Sequence, residues 1–206
     1  LLNEHDPMGL RLAQLLREPA PELAQRLYLR LLEVMPDNLE VQWRYASFLF
    51  IQLGDLDAAE IYYKGILKSS PEHPNSLADY GQLLVAKGRY EEGEALMKRV
   101  YQVPPFFDTA NRAELCFSLW LASRMQGRRG GLWERRYKAL IEKRFDRHLW
   151  SFDRMLDQAR GVLSASEFAY ASALAAAFLD DKKVEDLDSF PRWTRLDSAV
   201  PNRNKP

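Results

Sequence analysis

Nine cationic side chains fall within residues 124–147: Arg124, Arg128, Arg129, Arg135, Arg136, Lys138, Lys143, Arg144 and Arg147, against Glu134, Glu142 and Asp146. Such a run can contact phosphate, nucleic acid or an acidic protein, because guanidinium groups recognise planar oxyanions. No nucleic-acid-binding motif accompanies it, and the chain's formal net charge is zero. The expectation is therefore a solvated face whose charges pair with Asp180, Asp181, Glu185, Asp186 and Asp188, with Arg128, Arg129, Arg135 and Arg136 as the candidate basic contact and nucleic acid not the expected partner. Other chemistry is sparse. The single cysteine, Cys116, has no base marked out beside it and reads as a small buried hydrophobe. His5, His73 and His148 are far apart and lack the spaced second ligand of a metal site. There is no phosphate loop and no dinucleotide-binding glycine pattern. No catalytic residue, metal or cofactor is expected.

The elements that carry these residues follow from a repeat. Pro36, Pro71 and Pro105 are spaced by 35 and 34 residues, and each follows an amphipathic run. At a shift of 34, Trp43 matches Leu77, Ala46 matches Tyr80, Ser47 matches Gly81 and Phe50 matches Leu84; Gly54 then matches Gly88, Ala59 matches Gly93, Tyr63 matches Met97 and Ile66 matches Val100. Small residues recur where two helices must approach. Large ones recur where a ring or aliphatic chain fills the gap. A glycine recurs where the first helix ends and needs a positive φ. Asp37 or Asn38, and Asp55, stand at helix starts as caps, and Pro74 suits a first turn.

This pattern resembles the tetratricopeptide-repeat family. Trp43, Ser47, Phe50, Gly54, Ala59, Tyr63 and Pro71 follow its motif closely, as do Gly81, Gly88, Tyr90 and Pro105 in the next unit. The earlier unit keeps only Ala24, Tyr28, Leu31 and Pro36. The resemblance implies an all-α fold, a right-handed α-solenoid of helical hairpins with divergent C-terminal helices. The expected organisation is a helical domain over residues 1–180, with a partial repeat at 5–36, the best repeats at 39–105 and divergent helices at 108–180, then a polar tail at 181–206. Within the divergent part, residues 111–126 and 132–145 read as a fourth hairpin with Leu115, Leu119, Ala122, Trp133, Tyr137, Leu140 and Ile141 inward. Residues 148–161 and 164–179 read as two further helices, the last opened by the capping box Ser164-Ala-Ser-Glu167.

In that family the first helix of each pair lines the inner face. The resemblance therefore implies a groove of Val41, Arg44, Tyr45, Phe48 and Ile51, then Asn75, Ala78, Asp79, Gln82 and Val85, then Arg112, Cys116 and Leu119, mixing apolar area with polar anchors as an extended peptide or docked helix requires. The expected function is a non-catalytic scaffold or adaptor for a protein or peptide partner. The rival expectations are the repeat region of a larger enzyme, or an envelope assembly factor of pilus or secretion type. The two-carboxylate clamp of chaperone-binding relatives is not matched: it needs Lys and Asn, then Asn, then Lys and Arg, and the corresponding positions hold Gly9 and Ala13, then Tyr45, then Asn75 and Asp79. No apolar stretch is long enough to span a bilayer. The expected compartment is the cytoplasm, with a periplasmic or membrane-anchored setting as the alternative. Phe190-Pro-Arg-Trp193 makes the tail a candidate for docking or self-association.

Overall fold

The computed structural model describes residues 7–102, 109–142, 152–179 and Leu187. Among them are ten α-helices: α1 (Pro7–Leu15), α2 (Pro21–Val34), α3 (Leu39–Phe48), α4 (Leu56–Ser69), α5 (Pro74–Ala86), α6 (Tyr90–Gln102), α7 (Thr109–Met125), α8 (Gly131–Ile141), α9 (Asp153–Arg160) and α10 (Ala165–Leu179). The chain divides into two compact units, Leu1–Leu83 and Leu84–Pro206, with the boundary inside α5.

The caps explain the helix starts. Asn38, rather than Asp37, caps α3, its side chain accepting from the backbone N–H of Glu40 and Val41. Asp55 does the same for α4 through Ala58 N–H at 3.0 Å. Pro74 is the first residue of α5. At α10 the Glu167 carboxylate accepts from the Ser164 N–H at 3.2 Å and from its hydroxyl at 2.6 Å, and the Glu167 N–H donates to the Ser164 hydroxyl oxygen at 3.4 Å. Asp108, expected to start the helix at 109, is outside the described residues.

The glycines end helices as their spacing requires. Gly88 (φ 79°) and Gly127 (φ 70°) each close a two-bond left-handed cap: Arg89 N–H reaches Leu84 O and Gly88 N–H reaches Val85 O, and Arg128 N–H and Gly127 N–H repeat the pattern on Ser123 O and Arg124 O. Gly54 (φ 68°) ends a different turn. Helix α3 continues into a π-helical turn, Leu49–Leu53, so Asp55 N–H closes back on Leu49 O at 2.9 Å.

Gly130 (φ 66°) is more constrained than Gly127. A Cβ there would stand 2.9 Å from Trp120 Cδ1 and 3.2 Å from the Trp120 carbonyl, whereas at Gly127 it would meet nothing within 4 Å. Both alanine variants incur the left-handed backbone cost, about 1 kcal/mol. Only Gly130→Ala adds overpacking, for a total of roughly 2 kcal/mol. Urea unfolding of the two variants tests this: equal losses would mean that the Trp120 contact does not constrain the loop.

In the first unit, Ala24, Tyr28 and Leu31 of α2 face Val41, Tyr45 and Phe48 of α3, while Ala59, Tyr63 and Ile66 of α4 are fully buried. Ala59 is the small residue that close helix crossing requires. In the second unit α7 is buried nearly all round, from Ala113 to Ala122, rather than along one stripe.

One ion pair with a buried carboxylate recurs on three helices. Glu60–Lys64 (2.8 Å) on α4, Glu94–Lys98 (2.8 Å) on α6 and Glu134–Lys138 (2.9 Å) on α8 are each i,i+4 pairs with a buried carboxylate. Each carboxylate also accepts from a residue further along the chain: Tyr80 (2.9 Å) on α5, Gln126 (3.2 Å) and Arg128 after α7, and Tyr170 on α10. At Glu60 and Glu94 burial is tolerable because charge and hydrogen bonds are met together, whereas at Glu134 both partners meet Oε1 and Oε2 has no hydrogen-bond partner among the described residues. Helix α8 thus carries the same pairing as α4 and α6.

Two inward assignments, Trp133 and Leu140, change. On α8 the buried residues are Glu134, Tyr137 and Ile141, and Trp133 and Leu140 are only half-buried, because the Glu134 carboxylate takes the inward position to meet Tyr170. Phe152, just before α9, and Met155 on α9 are buried, and Leu156 is half-buried. Leu187 is buried, so at that residue the expected polar tail contributes to the core. Residues 143–151, and the rest of 180–206 with Phe190 and Trp193, are outside the described residues.

Candidate functional site

The inner-face residues of the first unit separate into two sets. Arg44, Ile51 and Asn75 are partly exposed. Tyr45, Phe48, Asp79 and Gln82 are buried, as are Val41 and Ala78, so they are not the open contacts the groove expectation made them. The reason is local packing. Tyr28 lies 5.7 Å from Tyr45 and 5.4 Å from Phe48, and Tyr62 closes edge-on over Tyr45 at 5.1 Å. The half-kept first hairpin thus covers part of the face that its neighbour would otherwise present.

Beneath the open residues is a polar floor. Trp43 Nε1 donates to Asp79 Oδ2 at 2.8 Å, and the Tyr63 hydroxyl approaches the same oxygen at 3.5 Å. Burial pushes the Asp79 carboxyl up to about 6, against the Trp43 bond and the charges of Arg17 and Arg44, which pull it down. The Arg17 guanidinium, itself pulled down by burial, donates Nε and Nη2 to Gln52 Oε1 at 3.1 and 2.6 Å. Arg44 donates to Glu40 Oε1 at 2.7 Å and lies 4.2 Å over the Trp43 ring. With the Gln14 amide turned so that its oxygen faces Arg44, it accepts from Nε at 2.8 Å and Nη1 at 3.1 Å. The Tyr28 hydroxyl is buried with no hydrogen-bond partner among the described residues; burial raises its pKa, while Arg17 and Arg44 act in the opposite direction.

The arrangement has two guanidinium groups held by Gln52, Glu40 and the Trp43 ring. It can hold a peptide backbone or a polar side chain by hydrogen bonding. The repeat pattern did not point to Arg17, Gln14 or Gln52. Gln52 lies in the π-helical turn, and no repeat position signals such a turn.

Arg44, Ile51, Gln52 and Asn75 lie within the matched family segments, and Gln14 and Arg17 precede them. Residues 21–74 and 50–101 each match a tetratricopeptide-repeat model. The chain carries tetratricopeptide repeats. Such repeats generally mediate protein–protein interaction, and the chain is all-α throughout the described residues. A search of curated proteins finds no match. No helix among the described residues is long and apolar enough to cross a membrane.

The basic run distributes itself differently from the expectation. Arg124 pairs with Glu167 and Arg128 with Glu94, both on described helices rather than in the acidic tail. Burial alone would push the Glu94 carboxyl up, but the Arg128, Lys98 and Gln126 donors outweigh it and hold it below the usual carboxylate range. Arg128 is therefore committed to the repeat's interior carboxylate. Arg129 and Arg135 are exposed. Arg136 lies 4.9 Å over Tyr101 and 5.0 Å over Trp133. Exposed Arg112 lies 5.4 Å over the same Tyr101 ring.

Cys116 and Leu119 are fully buried, not groove residues. Burial pushes the Cys116 thiol up to about 11, although a Tyr101 hydrogen bond and the charges of Arg136 and Arg112 oppose it. A thiol so placed is protonated at neutral pH and is a poor nucleophile.

Proposed function

We propose that this protein is a non-catalytic scaffold whose first repeat unit binds an extended peptide or helix of a protein partner across Arg44, Ile51 and Asn75, with Arg17, Gln14 and Gln52 as further polar anchors. The observation that carries this reading is the pre-set pair of guanidiniums. Arg17 and Arg44 are partly exposed cations whose positions are fixed by Gln52, Glu40 and the Trp43 ring. Side chains already ordered lose less entropy on binding, so contacts to them contribute more affinity. The π-helical turn that places Ile51 and Gln52 supports the reading, because such turns are frequent at functional sites.

The test uses Arg44→Ala, Ile51→Ala and Asn75→Ala together, since all three residues are partly exposed. Partner capture from native extract falls by about tenfold or more, as expected when several interface contacts are lost, while circular dichroism is unchanged. A partner retained equally by the wild type and the triple variant excludes this face. Changes at Phe48 or Gln82 would not discriminate, because both are buried.

A further inference from the structure

In the second unit, Arg112 on α7 and Arg136 on α8 are far apart in sequence, yet both guanidiniums stand over the Tyr101 ring at the end of α6. Trp133 packs edge-on against that ring at 5.0 Å, and Arg136 also covers Trp133. Cation–π contact immobilises a guanidinium through its flat surface and leaves its edge N–H donors available. Among the described residues no carboxylate pairs with Arg112 or Arg136, in contrast to Arg124 and Arg128. The result is two fixed cations around one aromatic support. The rings hold the cations instead of offering bare faces to a stacked base. Exposed Leu132 neighbours Trp133 and adds apolar area beside the charges.

We propose that Arg112 and Arg136, supported by Tyr101, form a two-arginine clamp for the carboxylates of an acidic peptide segment in a protein partner. The clamp belongs to the second unit and is separate from the peptide face proposed for the first. Bidentate guanidinium–carboxylate geometry makes arginine the suitable residue here. Tyr101 is a positioning residue, since it contributes no charge.

Titration calorimetry of the full chain with octaglutamate at low salt tests the clamp. Wild type binds, and added salt weakens binding. R112Q/R136Q lowers affinity about tenfold, the loss expected when charged hydrogen bonds to a carboxylate disappear. R129Q/R135Q removes the same net charge from exposed arginines and leaves affinity unchanged. Tyr101→Phe keeps the ring and binds as wild type. Tyr101→Leu weakens binding several-fold with no change of charge. Circular dichroism confirms the fold of each variant. Absence of octaglutamate binding overturns the proposal. So does equal weakening by the two arginine pairs, or full affinity in Tyr101→Leu. Tighter binding of an eight-residue oligothymidylate through the same arginines would assign the site to nucleic acid instead and equally overturn it.

Discussion

Trp43→Ala lowers the unfolding free energy by about 3–5 kcal/mol, the cost of removing a large buried aromatic side chain. Two losses act together. The indole is buried between α3 and its neighbours, so its removal leaves a cavity that the helices cannot fill by relaxing. Its Nε1 is also the closest donor to Asp79, at 2.8 Å; the Tyr63 hydroxyl is at 3.5 Å. Truncation therefore leaves a buried carboxylate short of its main partner, which adds a desolvation penalty. Trp43→Phe separates the two: it keeps most of the ring volume and loses only the donor, so it costs less than the alanine. Urea unfolding monitored by circular dichroism gives both numbers. A loss under about 1 kcal/mol for the alanine would contradict a cavity on this scale.

Asp79→Asn is expected to stabilise the protein at high pH and to do little at low pH. The folded-state carboxyl is raised from its ordinary 3.8 to about 6, so the folded state binds the proton more tightly than the unfolded chain. Stability associated with this group is fully present below its unfolded value and is lost as pH rises through the folded one. Above pH 6 the wild type therefore holds a charge that its surroundings disfavour. A rise of this size corresponds to about 3 kcal/mol at most. Asparagine retains an oxygen that can accept from Trp43 Nε1 and never ionises. The stability difference between variant and wild type should grow by about 2–3 kcal/mol from pH 4 to pH 8. A difference independent of pH would mean that Asp79 does not titrate in this range.

Much of the fold was legible because repeat geometry is written at single positions. Gly54 and Gly88 stand where backbones turn left-handed, Ala59 where helices cross, and Trp43 and Tyr63 where the gap must be filled. The buried carboxylates carry a sequence signal of their own. Glu60 with Lys64 and Glu94 with Lys98 recur at the same 34-residue shift as the apolar positions. Charge alone suggests a solvated face; charge at the repeat's own period indicates a structural role. The site was less legible. Asp79 sits at an inner-face position of the motif, yet its burial depends on Arg17, Trp43 and Tyr63, from three other segments of the chain. Tyr45 and Phe48 are covered because the shortened first hairpin still supplies Tyr28, a contact that no local pattern contains. Arg112 and Arg136 belong to different sequence features, a groove and a basic run. Only the packing of α6, α7 and α8 brings both to Tyr101.

The most direct test of partner binding by the first unit is site-specific photo-crosslinking in native extract, with a photoreactive residue placed at Ile51, in the π-helical turn, or at Ile61, which is 71% exposed on α4. Protein partner adducts should form from position 51 and not from position 61, and Arg44→Ala should reduce them. Adducts of equal yield from both positions, or from position 61 alone, would contradict the assignment of this face.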